Sequence, residues 1–167
     1  MVKLLSSLMI FISLSMPAQQ LGDTSFKPKN TTRTFSASQS PVVLLDEAHH
    51  NFHTMDGRYR PFVDILKSDG YTVEKNKSKF TKESLSHAEI LIISNALHSK
   101  NIENWDLPNY SAFSRNEIEA VYQWVKNGGS LFLIADHMPF PRAAEDMAAV
   151  FGFQFNNGYV EELTNKA

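Results

Sequence analysis

Three short, uninterrupted apolar runs limit what this chain can fold into: VVLLD at 42–46, EILIIS at 89–94 and SLFLIA at 130–135. Runs of that length, with no polar residue alternating inside them, predict strands covered on both faces. Helical patterns separate them. Residues 59–68 place Phe62, Ile65 and Leu66 at helical spacing and stop at Gly70. Residues 71–74 predict a short second strand, and 82–87 a helical turn or slightly more. Ser114, with Glu117 three residues later, has the pattern of a capping box. The helix it opens, RNEIEAVYQWVKN, puts Ile118, Val121, Tyr122 and Val125 on one face and ends at Gly128-Gly129. A further helix is predicted over 141–151 and a fifth, shorter strand over 153–155. This rhythm predicts an α/β domain: a flavodoxin-like, doubly wound, mainly parallel sheet with helices on both faces.

The 167 residues suffice for one domain with a real core. Residues 1–18 read as a signal peptide, with Lys3 ahead of the apolar core LLSSLMIFISLSM. An uncleaved signal anchor, the alternative, would be the chain's one route to a membrane. Residues 19–40 are rich in Thr, Ser, Asn, Lys and Gln with no hydrophobic period, which predicts a flexible linker. The domain then runs over 41–167. Its last residues, NNGYVEELTNKA, read as the start of a further element, as though the domain were truncated at its C-terminus. Export to the periplasm or medium is the expected location. A net charge of -2 gives no reason to expect nucleic acid. The absence of cysteine removes disulfides, thiolate ligands and a thiol nucleophile.

The polar residues that carry chemistry collect just past the predicted central strands. Asp46, Ser94-Asn95 and Asp136-His137 fall there, and in a parallel sheet such ends converge on one crevice. The first strand runs on into DEAHHNFHTMDGRYRPF, which holds three of the six histidines. VVLLDEAHH resembles the acidic box of a helicase-type ATPase. No G-x-x-x-x-G-K-[ST] loop accompanies it, so no nucleotide is expected. His49, His53 and His137 are candidate ligands for a divalent metal, although no spacing matches a zinc signature. Histidine beside carboxylate also suits acid–base work, with His137 and Asp136, or His53 and Asp46, as pairs. Ser94 and Thr54 offer hydroxyls, but neither sits in a G-x-S-x-G elbow. Arg58 and Arg142 are candidate anchors for an anionic group, with Glu47, Asn51 and Asn95 as further substrate contacts. The bland reading of these residues is that they cap helices, satisfy loop backbone and pair with neighbours, Arg142 with Glu145 for example.

The runs DEAHHNFHTMDGRYRPF, SDGY, ISNAL, WDLP, SAFS, NGGSLFLIADHMPFPRAA and FGF together resemble an uncharacterised bacterial family. This is the DUF4350-type domain of the class I glutamine amidotransferase-like superfamily. The resemblance covers about residues 42–159 and implies a flavodoxin-like sheet, frequent export and chains longer than this one. It also implies relatives in gliding-motility and intraflagellar-transport proteins that bind partners instead of catalysing. Active amidotransferases carry a cysteine nucleophile, and this chain has none, so glutamine hydrolysis by the thiol route is excluded.

Two expectations of function follow. One is a hydrolase of a small molecule or glycan, with or without a divalent metal. Asp46, His49, His53, Asp136 and His137 would be its catalytic residues: His53 or His137 as base or ligand, Asp46 and Asp136 as orienting carboxylates, and Arg58 as substrate anchor. The other is a non-catalytic module of the cell envelope that binds a small molecule, a glycan or an envelope protein. Shifted histidines in a closed crevice favour the first. An exposed groove, with the histidines stapling loops, favours the second.

Overall fold

A computed structural model describes residues 22–23, 25–29 and 32–160. The expected signal peptide lies outside the described residues.

The apolar runs form strands because each can bury both faces. β1 (Val42–Asp46), β2 (Thr72–Asn76), β3 (Ile90–Ser94) and β4 (Ser130–Ile134) make one sheet in the order β2-β1-β3-β4, every pair parallel. Side chains alternate across it. Val43, Leu45, Val73 and Ile92 point to one face, where they meet Val63 of α1 (Arg60–Asp69). Leu44, Leu91 and Ile93 point to the other. There they meet Leu85 of α2 (Lys82–Leu85), Ile118 and Val121 of α3 (Arg115–Lys126), and Met147 of α4 (Phe140–Ala149). Helices on both faces of a sheet in this order make the fold flavodoxin-like. β2 runs two residues beyond its apolar start because Lys75 and Asn76 keep register with Leu45 and Asp46.

The helix ends follow the sequence signals. Ser114 and Glu117 form the capping box of α3 in full, each side chain bonding the other's backbone N–H. α1 ends on Gly70 in the left-handed region (φ 101), and the Gly70 N–H reaches back to the Leu66 and Lys67 carbonyls. A Cβ at Gly70 would also overlap the Phe35 carbonyl oxygen. Residues 34–40, within the stretch expected as linker, are tied to this corner. Thr34 Oγ1 donates to Asp69 (2.9 Å), Ser40 Oγ to the Gly70 carbonyl (2.7 Å), and the Phe35 ring meets Tyr71 edge-on. Gly70→Ala therefore combines a disfavoured φ with a clash. It is expected to cost roughly 1–3 kcal/mol in urea unfolding.

The expected fifth strand over 153–155 is not formed. Phe151, Gly152 and Phe153 donate their N–H groups to Ala148 and Ala149, closing the end of α4 instead of starting a ladder. Phe153 is left 66% exposed, and with Phe155 it walls an apolar cleft of about 410 Å³ along Leu131–Leu133. Among the described residues β4 is an edge strand, with Phe132 52% exposed.

Candidate functional site

Because all four strands run the same way, their carboxyl ends carry Asp46, Asn76, Ser94 and, just past β4, Asp136 along one rim. Residues 47–59 fold back over that rim and are stitched to the exit of β3. The His49 carbonyl accepts from Leu97 N–H (2.8 Å), the Asn95 carbonyl from Phe52 N–H (3.0 Å), and the Ser94 carbonyl from Asn51 Nδ2 (3.3 Å). Asn51 Oδ1 in turn accepts from His49 N–H, and Glu47 Oε1 from Met55 N–H (2.8 Å). Glu47 and Asn51, expected as substrate contacts, are placed as loop staples.

The inner half of the rim is a buried ion triad. His49 Nδ1 stands 2.8 Å from Asp46 Oδ2, and Nε2 stands 2.8 Å from Glu117 Oε1. Two carboxylates on two ring nitrogens require both nitrogens to donate, so His49 is an imidazolium. Burial pulls the His49 pKa down. The hydrogen bonds and charges of Asp46 and Glu117 outweigh burial and leave it raised. For Glu117, burial pushes upward, but bonds from Ser114 and His49 prevail and leave its pKa lowered. The remaining lone pairs are used as well. Asp46 Oδ1 accepts from Asn76 Nδ2 (3.0 Å), and Glu117 Oε2 from Ser114 Oγ (2.6 Å). Phe80 and Phe113 pack side by side against the imidazole, with ring centroids at 4.7 and 4.8 Å from it and 6.0 Å from each other.

The outer half centres on His53. Ser94 Oγ donates to the Tyr59 oxygen (2.9 Å), so at 2.9 Å from His53 Nδ1 it accepts that nitrogen's proton, leaving Nε2 as the acceptor nitrogen. Burial lowers the His53 pKa; the Asp136 charge opposes this, and the Arg58 charge adds to it. The ring stacks on Tyr59 at 4.5 Å, and the Arg58 guanidinium lies 3.9 Å over the neighbouring Phe52 ring. Asn95 is fully buried in the left-handed region (φ 49), a conformation asparagine tolerates. Its Oδ1 accepts from Asp136 N–H (3.2 Å), while its Nδ2 has no hydrogen-bond partner.

His137 borders the outer half through Phe140, which packs on Phe52 beside His53, while His137 and Arg142 take their polar partners elsewhere. His137 Nδ1 donates to the Met138 carbonyl (2.7 Å), and its ring stacks on Tyr159. Arg142 pairs with Glu145 and Asp146, each at 3.3 Å. The expected metal set of His49, His53 and His137 is not brought together. No group of three or more His, Cys, Asp or Glu among the described residues could hold a metal ion. Both His49 nitrogens are taken by carboxylates, one of them from α3, and His137 Nδ1 is held by its own loop.

Glu117 is the residue that sequence reasoning missed. Its capping role was legible, but the bond to a histidine 68 positions away had no local signal. Beside the triad opens a cleft of about 350 Å³, with His50, Lys79, His98 and Ser111 on its rim.

Fold and rim together define a class: a flavodoxin-like α/β domain whose strand ends carry a locked imidazolium beside a neutral histidine. No family model matches the chain, and no curated protein matches it. A solved structure described as the mmIFT52 N-terminal domain is similar in fold, with a TM-score of 0.57 at 15% identity. The match covers 75% of this chain and 53% of that one, so the chain spans about half of that structure's length. No helix among the described residues is long and apolar enough to cross a membrane.

Proposed function

We propose that the chain is an exported, non-catalytic binding module of the cell envelope, built on an amidotransferase-like scaffold of the DUF4350 type. The observation that carries this reading is the His49 triad. A histidine whose two nitrogens are both bonded to carboxylates has no lone pair for a proton or a metal, so its role is to hold residues 47–59 over the strand ends. The exposed side chains beside it, His50, Lys79 and Ser99, then form a contact surface for a small molecule, glycan or envelope protein.

One observation favours the hydrolase reading. His53 is neutral at neutral pH, keeps Nε2 as an acceptor and lies near the Asp136 charge, which suits a general base. Ser94 is fully buried beneath it, so attack would fall to water and not to the serine hydroxyl. An activity screen with ester, amide and glycoside substrates separates the two readings. The binding module is expected to show no turnover above buffer. Turnover that falls by about 10²-fold or more in His53→Ala and survives in His50→Ala would replace it with the hydrolase.

A further inference from the structure

A second concavity, larger than the cleft beside His49, lies at the other end of the sheet, where β3 and β4 begin. It is a groove of about 840 Å³ between α2 and α3, against about 350 Å³ for the cleft beside His49. Its origin is a mismatch in length. α2 has 4 residues and α3 has 12, so one turn faces three. The stripe of α3 carrying Asn116, Ala120, Gln123 and Trp124, with Asn127 just past its end, is left lining open space.

The groove has a built floor. Trp124 packs partly against the core and also lines the groove. Gly129 backs its indole so closely that a Cβ there would overlap the ring, which leaves glycine as the residue that fits. Ala88 and Ala120 keep the floor beside it low. The rim carries one cation, Lys82, and two carboxylates that already have donors. Glu89 accepts from Val42 N–H (2.6 Å) and Glu119 from Gln123 Nε2 (2.9 Å). A lone lysine among carboxylates does not select a phosphate, and the described residues offer no metal set. What remains is an aromatic platform ringed by side-chain amides, groups that donate and accept hydrogen bonds as sugar hydroxyls do.

We propose that this groove binds a neutral oligosaccharide, with Trp124 stacking under a pyranose ring and Asn116, Gln123 and Asn127 bonding its hydroxyls. The site is separate from the strand-end cleft, and its failure would leave that reading standing. The test is titration of the chain with N-acetylchitotetraose and with maltohexaose, followed through the Trp124 indole N–H in two-dimensional NMR. At least one sugar is expected to shift that signal with a Kd of about 0.1–1 mM. The Gln123→Ala/Asn127→Ala double variant alters two exposed positions and leaves the core intact. It is expected to weaken binding about tenfold, and Trp124→Phe, which keeps an aromatic ring against the core, by several-fold. Neither sugar moving the indole signal at about 10 mM, or the double variant binding as well as the parent, would overturn the proposal.

Discussion

His49→Ala is expected to cost roughly 3–5 kcal/mol, because it leaves Asp46 and Glu117 as buried carboxylates without their shared cation. The loss should also change the pH dependence of stability. Glu117, with its folded pKa lowered from 4.5, contributes stability that is complete above 4.5 and lost as pH falls through the folded value. His49, with its folded pKa raised from 6.5, contributes stability that is complete below 6.5 and lost as pH rises through the folded value. The triad therefore stabilises most between pH 4.5 and 6.5 and fades on the alkaline side as the imidazolium loses its proton. Urea unfolding at about pH 5.5 and about pH 8.5 checks this. His53, with its folded pKa lowered, adds the same opposite trend to both proteins, so the parent should lose stability between the two relative to His49→Ala. Equal slopes in both proteins would sink the triad as a stabilising element. His87→Ala is the control: its exposed pair with Glu74 is expected to contribute less than ~1 kcal/mol.

Phe80→Ala is the second large expected effect, at roughly 3–5 kcal/mol. Phe80 is 2% exposed and packs in one cluster with Leu44, Leu85 and Leu91, so truncation opens a cavity in that cluster. The same ring covers His49 at 4.7 Å. Removing it therefore admits water to the triad and weakens the charge attraction there. The two variants should be non-additive: Phe80→Ala/His49→Ala is expected to lose less than the sum of the single losses, by about 1 kcal/mol or more. A double-mutant cycle in urea reads this coupling. Simple additivity would mean that Phe80 supports the core alone and not the ion triad.

These two residues explain why the strand ends can carry so many polar groups without coming apart. Asp46 is fully buried, and such burial is tolerable only when the charge is paired and its lone pairs are filled. His49 pairs it, Asn76 and the Ala48 N–H fill its second oxygen, and Phe80 and Phe113 keep water away. The loop over 47–59 is fixed to four elements: β1 through Asp46, β2 through the Asn76 carbonyl, the β3 exit through Ser94 and Asn95, and α3 through Glu117. His53 is left on that rigid support, with Tyr59 beneath it and Asp136 across from it.

Much of this frame is legible from the residues alone. Continuous apolar runs, the Ser114–Glu117 cap and Gly70 each report a local constraint, and local constraints are written into neighbouring positions. That is why β1, β3, β4, α3 and the end of α1 fall where periodicity places them. The same holds for the placement of Asp46, Ser94 and Asp136 along one edge of the sheet, which needs only parallel strands. What the tertiary structure decided is who pairs with whom. The three candidate metal histidines separate because His49 meets Glu117, a partner supplied by a helix on the far side of the chain's midpoint. Residues 153–155 carry a strand-like pattern but make no ladder, because their nearest N–H groups close α4 first. A hydrogen bond is won by whichever partner the fold brings within 3 Å or so, and sequence spacing carries no record of that competition.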